Sequence, residues 1–128
     1  MKPQVLLYSR DPNFEGLLGE ALSGTGAIVL IARTVADALQ IVCQRGGNLE
    51  FALMDFDGGC RGMTLLSAVH ACYEQLPILV TTSEDAEHAT AVAYANGARG
   101  CFTKPQRAAP LTAAIADLNE TRHQLAAA

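Results

Sequence analysis

Short apolar runs alternate with stretches of helical periodicity along the whole chain. The apolar runs lie at residues 5–8, 27–32, 51–54, 78–82 and 101–103. Runs of this length, bounded by polar residues or glycine, are typical of buried β-strands and too short for ordinary helices. The pattern therefore predicts five strands. Because residues 27–32 are apolar throughout, the second strand is expected to be buried on both faces.

A helical pattern follows each of these runs. Asp11 provides an N-cap and Pro12 occupies the first helical position after it, both of which favour a helix start. Thr34 and Asp37 form a start like a capping box for the second helix. The remaining helices are predicted by apolar spacing at residues 65–72, from about residue 86 to the Asn-Gly pair at 96–97, and at residues 111–118.

Strict alternation of five strands and five helices defines an α/β fold. Such alternation implies right-handed crossovers, a parallel sheet and helices on both faces. At 128 residues and 13.5 kDa the chain has the length of one ordinary domain. We therefore expect a single domain over residues 1–128.

Composition narrows the classes of partner. The formal net charge of −4 and the pI of about 5.2 argue against nucleic acid as a direct partner. The apolar runs are far shorter than the ~20 residues that span a bilayer, and the first residues lack a secretory signal pattern. The four cysteines and three histidines show no metal-binding spacing. We expect a cytoplasmic protein without a membrane partner.

Polar residues cluster where the predicted strands end. In open parallel α/β sheets, ligands bind outside the carboxyl ends of the strands. The polar residues at those ends are Ser9, Arg10 and Asp11, then Asp55 and Asp57, then Thr81, Thr82 and Ser83, and finally Lys104. Lys104 either forms a structural ion pair with Asp55 or neutralises a bound anionic group, to which Thr82 would donate a hydrogen bond.

The chain resembles the receiver domains of two-component response regulators from Val5 to the last helix. The resemblance rests on Asp55 after FALM, on PILVTT at residues 77–82 and, most specifically, on GARGCFTKP at residues 97–105. It implies a flavodoxin-like (βα)5 three-layer sandwich with strand order 2-1-3-4-5. It also implies a cis peptide bond between Lys104 and Pro105.

The same resemblance implies a role in phosphorelay signalling. Asp55 would accept a phosphoryl group from a sensor histidine kinase or a phosphotransfer protein, which would make the chain a phosphoprotein. Thr82 and Lys104 would contact the phosphoryl group. A downstream output protein or domain would then respond to the change.

The sequence departs from the family pattern at the metal site. Family members carry an acidic pair after the first strand to hold Mg²⁺, and those positions are Ser9 and Arg10 here. Asp11 comes one residue too late and is better explained as the helix N-cap. Asp55 is then the one expected metal carboxylate, because Asp57 stands where a backbone carbonyl normally serves. We expect a weak or absent Mg²⁺ site.

Two further departures make the chain an atypical receiver. The loop from Phe56 to Gly62 is one residue short and lacks a proline, and Cys101 and Gln106 replace aromatic residues. The sequence leaves two functions open. In the first, Asp55 is still phosphorylated. In the second, a pseudo-receiver acts without phosphorylation as a protein–protein interaction module, with Arg10 and Lys104 both paired to Asp55. No nucleophile–base pair indicates an enzyme.

Overall fold

The computed structural model describes residues 2–56, 61–82, 86–105 and 107–127, with side chains outside the description at 61–62, 86–89 and 119–127. Within these residues five strands alternate with five α-helices, which confirms the predicted element order. The strands β1–β5 are Gln4–Tyr8, Ile28–Ala32, Leu49–Asp55, Ile78–Thr82 and Gly100–Thr103. The helices α1–α5 are Pro12–Ala21, Val35–Arg45, Arg61–Cys72, Ala86–Ala95 and Ala108–Ala127, with a 3-10 turn at Gly46–Asn48.

The strands form one parallel sheet in the order β2-β1-β3-β4-β5. This is the order that the family resemblance implies. β3 lies at the centre and pairs with β1 on one side and β4 on the other, so that Asp55 is in register with Thr81. Because all strands run in the same direction, their carboxyl ends meet at one edge of the sheet.

Alternate strand residues build two separate cores, one on each face of the sheet. Leu6, Met54 and Val80 belong to the core under α2, α3 and α4, whereas Leu7 and Leu53 belong to the core under α1 and α5. This division follows from the two-residue period of a strand, which sends neighbouring side chains to opposite faces. The three layers confirm the predicted sandwich.

The second strand differs from the sequence prediction because it is not buried on both faces. Ile28 is 42% exposed and Ile31 is 41% exposed, whereas Ala32 is fully buried. β2 has a single neighbour, β1, in the described sheet. An edge strand is therefore open along one side, and its apolar sequence does not reveal this position.

Local capping fixes the helix starts. Asp11 accepts a hydrogen bond from the backbone N–H of Asn13, and Pro12 follows as the first residue of α1. Thr34 accepts a hydrogen bond from the backbone N–H of Asp37 at the start of α2. Both starts agree with the sequence prediction. Among the described residues, no helix combines the length and apolar character needed to cross a membrane.

Candidate functional site

Asp55 is the last residue of the central strand β3 and lies at the carboxyl edge of the sheet. The backbone N–H of Phe56 donates a hydrogen bond to the Thr81 carbonyl at 2.8 Å, which holds the end of β3 against β4. The Asp55 side chain is only 3% exposed. A carboxylate buried to this degree needs hydrogen-bond donors or a cation beside it.

The two oxygens of the Asp55 carboxylate have different surroundings. Oδ2 accepts a hydrogen bond from the Ser9 hydroxyl at 2.9 Å and another from the Lys104 ammonium at 2.8 Å. Oδ1 is buried and has no hydrogen-bond partner among the described residues. One oxygen is therefore held by two donors, while the other has no hydrogen bond within the described part of the chain.

Lys104 reaches this carboxylate from the loop after β5. Its backbone N–H donates a hydrogen bond to the Thr82 carbonyl at 2.9 Å, which extends the alignment of β5 with β4 past the strand end. Its ammonium lies 2.7 Å from Asp11 Oδ2 and 2.8 Å from Asp55 Oδ2. The same ammonium is 5.2 Å from the centre of the Phe14 ring, a cation–π distance.

Asp11 belongs to the site, although its sequence position indicates only a helix cap. Its backbone N–H donates a hydrogen bond to the Ser9 hydroxyl oxygen at 3.1 Å, and its carboxylate binds Lys104. The hydrogen bond from Lys104 is the main cause that lowers the pKa of Asp11 below its ordinary value, and the N–H of Asn13 contributes. The four residues Ser9, Asp55, Lys104 and Asp11 thus form a closed ring of hydrogen bonds.

Arg10 does not pair with Asp55, contrary to the expectation of the pseudo-receiver hypothesis. Its Nε donates a hydrogen bond to the Arg33 carbonyl at 2.9 Å, and the residue is exposed. Among the described residues, the side chain that forms an ion pair with Asp55 is Lys104. Ser9 is hydrogen-bonded to Asp55, and Arg10, the next residue along the extended chain, points the other way, toward the end of β2.

The structure brings together the polar residues that follow β1, β3 and β5, and some other predicted site residues lie outside its description. Thr82 is buried at the end of β4, one residue beyond the register partner of Asp55. Asp57, Cys60, Ser83 and Gln106 lie outside the described residues, so the prediction of a shortened loop is not tested there.

Cys101 is half-buried in β5 and packs against the core under α3 and α4. The described residues contain no cis peptide bond, so the expected cis bond between Lys104 and Pro105 is absent.

The described residues do not fit a resident divalent metal. Mg²⁺ prefers oxygen ligands in near-octahedral geometry and usually one or two carboxylates that are free to bind it. Here Asp55 Oδ2 and Asp11 Oδ2 are both occupied by the Lys104 ammonium, and a hydroxyl and an arginine stand at the acidic-pair positions. No group of three or more acidic, histidine or cysteine side chains that could hold a metal occurs in the described part of the chain.

The sheet order and the polar carboxyl edge define a flavodoxin-like α/β domain with a buried carboxylate, that of Asp55, at the end of its third strand. The family model of the response regulator receiver domain matches residues 5–116. The chain therefore belongs to the response regulator receiver domain family, whose members act in two-component signal transduction.

Solved structures share this fold at low sequence identity. A receiver domain protein from Clostridium thermocellum has a TM-score of 0.81 and 18% identity, covering 96% of this chain and 98% of that chain. An orphan response regulator of H. pylori has a TM-score of 0.75 and 18% identity, covering 91% and 95%. The Mn²⁺-bound response regulator Rcp1 has a TM-score of 0.71 and 18% identity, covering 88% of each chain. No curated protein matches the chain significantly.

Proposed function

We propose that Asp55 is the phosphoacceptor of this receiver and that its Oδ1 atom forms the bond to phosphorus. The observation that carries the proposal is the unequal environment of the two carboxylate oxygens. Lys104 and Ser9 hold Oδ2, while Oδ1 is buried without a partner in the described part of the chain. A carboxylate held through Oδ2 alone keeps one orientation, and we assign the oxygen without a hydrogen bond, Oδ1, as the nucleophile.

The chain's own side chains place a positive charge beside the proposed site of phosphoryl transfer. Oδ1 of Asp55 attacks the phosphorus of a phosphohistidine, the bond from phosphorus to nitrogen breaks, and the imidazole leaves with the electron pair. Positioning and charge neutralisation at the transferring oxygens dominate such a reaction. The Lys104 ammonium supplies a positive charge beside Asp55. Thr82, at the end of the neighbouring strand, is the proposed hydroxyl contact.

This role defines the partners that we propose for the chain. A sensor histidine kinase or a phosphotransfer protein would donate the phosphoryl group, and a downstream output protein or domain would respond. The receiver is itself modified in this reaction and turns over no separate substrate, so we propose that it is not an enzyme. The donor and the output are cytoplasmic in this proposal, and the net charge of −4 disfavours direct contact with nucleic acid.

Mg²⁺ would bind only weakly in this proposal. Receiver domains commonly use such a cation, but Ser9 and Arg10 stand at the positions of its acidic pair here. We propose that transfer to Asp55 depends little on Mg²⁺, because the cation beside Asp55 is the Lys104 ammonium, which Asp55 shares with Asp11.

One specific observation favours a second function, a pseudo-receiver that binds its partner without phosphorylation. The ring formed by Ser9, Asp55, Lys104 and Asp11 closes without a metal or a phosphoryl group. Such a ring would hold one conformation of the carboxyl edge. The sequence hypothesis paired both Arg10 and Lys104 with Asp55, and in the pseudo-receiver proposed here Lys104 alone has that role.

Labelling with a small phosphodonor distinguishes the two functions. The native protein is incubated with phosphoramidate or acetyl phosphate, with Mg²⁺ or with a chelator, and its intact mass is measured. We expect one phosphoryl adduct that maps to Asp55 and forms to a similar extent in both conditions. Asp55→Asn removes the acceptor and is expected to abolish the adduct.

A matched control and a gain-of-metal variant complete the experiment. Asp37→Asn removes an exposed carboxylate on α2 and is expected to leave labelling unchanged. Ser9→Asp with Arg10→Asp restores the acidic pair and is expected to make labelling dependent on Mg²⁺. If the native protein takes no phosphoryl group while this double variant does, the interaction-module function replaces the proposed one.

A further inference from the structure

A single ammonium lies between two carboxylates at the carboxyl edge of the sheet. Lys104 Nζ is 2.7 Å from Asp11 Oδ2 and 2.8 Å from Asp55 Oδ2, and the Lys104 side chain is 14% exposed. Two carboxylates this close to one point repel each other, and a cation between them offsets that repulsion. In this chain the cation is part of the polypeptide.

The surroundings of Lys104 hold the ammonium at this point from several elements. Asp11 is the N-cap of α1, Asp55 ends β3, and the Lys104 backbone is bonded to the end of β4. The face of Phe14, which is fully buried in the first turn of α1, lies 5.2 Å from the ammonium. The ammonium thus joins α1, β3 and the loop after β5, as a bound metal ion would.

We infer that the Lys104 ammonium is the resident cation of this site and that Asp11 is the residue that positions it. A divalent metal can use the two Oδ2 atoms only after the Lys104 side chain is removed. The inference does not depend on phosphorylation, since it concerns the charge already present in the unmodified chain.

Loss of the cationic side chain of Lys104 is expected to have an unusual effect on metal binding. Both Oδ2 atoms lie within 2.8 Å of the Nζ position. Metal–oxygen distances are about 2.1 Å for Mg²⁺ and about 2.4 Å for Ca²⁺. A small inward movement of the carboxylates would therefore let either ion bridge them. Oδ1 of Asp55, which has no hydrogen-bond partner among the described residues, offers a further ligand. Removal of Lys104 is expected to create metal affinity.

Metal titrations followed by amide NMR shifts test this prediction. The native protein is expected to show no saturable shifts with Mg²⁺ or Ca²⁺ in the millimolar range. Lys104→Met is expected to bind at least about tenfold more tightly than the native protein, with shifts centred on Asp11 and Asp55, because no ammonium then competes for the carboxylates. Lys104→Met combined with Asp11→Asn is expected to lose that gain. Asparagine remains a good N-cap, so the second change removes the charge and keeps the helix start.

The other lysine of the chain provides the matched control. Lys2 is exposed, and Lys2→Met makes the same chemical change away from the site. We expect it to titrate like the native protein. Saturable binding by the native protein as tight as that of Lys104→Met would overturn the inference, and so would binding by Lys104→Met that Asp11→Asn leaves intact.

A measurement on the native chain keeps the inference testable if Lys104→Met does not fold. The side-chain ammonium of Lys104 is expected to give a resolved NMR signal that Mg²⁺ does not shift and that Asp11→Asn broadens or moves. A signal displaced by Mg²⁺, or one indifferent to Asp11→Asn, would refute the role of Asp11. A labelling failure at Asp55 refutes only the proposed phosphoacceptor, so the two experiments fail separately.

Discussion

Replacement of Ser9 by alanine tests the hydrogen-bonded ring most directly. Ser9 is 2% exposed, and its hydroxyl donates to Asp55 Oδ2 at 2.9 Å and accepts from the Asp11 N–H at 3.1 Å. A hydrogen bond to a charged group contributes about 1.5–3 kcal/mol, and a bond between neutral groups about 1 kcal/mol. Because Asp55 keeps its bond to Lys104, we expect Ser9→Ala to lower the free energy of unfolding by about 2–3 kcal/mol.

A change of this size is easily measured in a domain of 128 residues. At about 4 °C per kcal/mol, the melting temperature is expected to fall by about 10 °C. Urea unfolding followed by far-UV circular dichroism at neutral pH gives the free energy directly. Ser67→Ala removes an exposed hydroxyl from α3 and serves as the control, with an expected effect within about 0.5 kcal/mol.

A double-mutant cycle with Asp55 decides whether the cost comes from the charged acceptor. In the Asp55→Asn background the Ser9 hydroxyl meets a neutral amide but still accepts the Asp11 N–H, so Ser9→Ala is expected to cost about 1–2 kcal/mol, less than with Asp55 in place. A loss for Ser9→Ala no larger than that of Ser67→Ala would refute the reasoning. An equal loss with Asp55 and with Asn at this position would show that the hydroxyl acts through something other than Asp55.

Two further predictions concern pH and the glycines. The pKa of Asp11 is lowered in the fold, so the ionised carboxylate stabilises the protein at pH values above its ordinary pKa of 3.8, and this stabilisation is lost as the pH falls through the folded pKa. We therefore expect the unfolding free energies of the native protein and of Asp11→Asn to converge in acid. Plots of unfolding free energy against pH that stay parallel for the two proteins would contradict this. Gly97→Ala is expected to cost more than about 2 kcal/mol, because Gly97 has φ +109° and an added Cβ would collide with the imidazole ring of His70. Gly16→Ala lies on helix α1, where an added Cβ has no other atom within 4 Å, and is expected to stabilise the protein by about 0.5–1 kcal/mol. Urea unfolding measures both glycine variants, and similar values for the two would contradict the assigned backbone and packing roles.

The local pattern of the sequence determined the elements and their starts. Asp11 before Pro12 and Thr34 before Asp37 cap α1 and α2, because capping depends on the side chains of a few consecutive residues. Alternation along β3 sent Met54 to one core and Leu53 to the other. The carboxyl-edge rule then correctly placed Asp55 and Lys104 together, since it depends only on strand direction.

Position within the sheet was not contained in the local pattern. The apolar run of β2 suggested burial on both faces, yet Ile28 and Ile31 are exposed at the sheet edge. The order of strands is set by how the helices pack across the two faces, and a strand's own residues do not encode which neighbours it will have. The family resemblance supplied the order, and with it the edge position of β2 could have been recognised.

The pairing of charges at the site was decided only by the tertiary structure. From the sequence, the pseudo-receiver hypothesis paired Arg10 with Asp55, and Asp11 was assigned only as a helix cap. In the fold, Arg10 turns to the Arg33 carbonyl and Asp11 binds Lys104. Ion pairs depend on which way each side chain leaves the backbone and on atoms more than ninety positions apart in the chain, as Asp11 and Lys104 are. Sequence spacing identifies the charged groups at an edge, and the three-dimensional packing selects which of them meet.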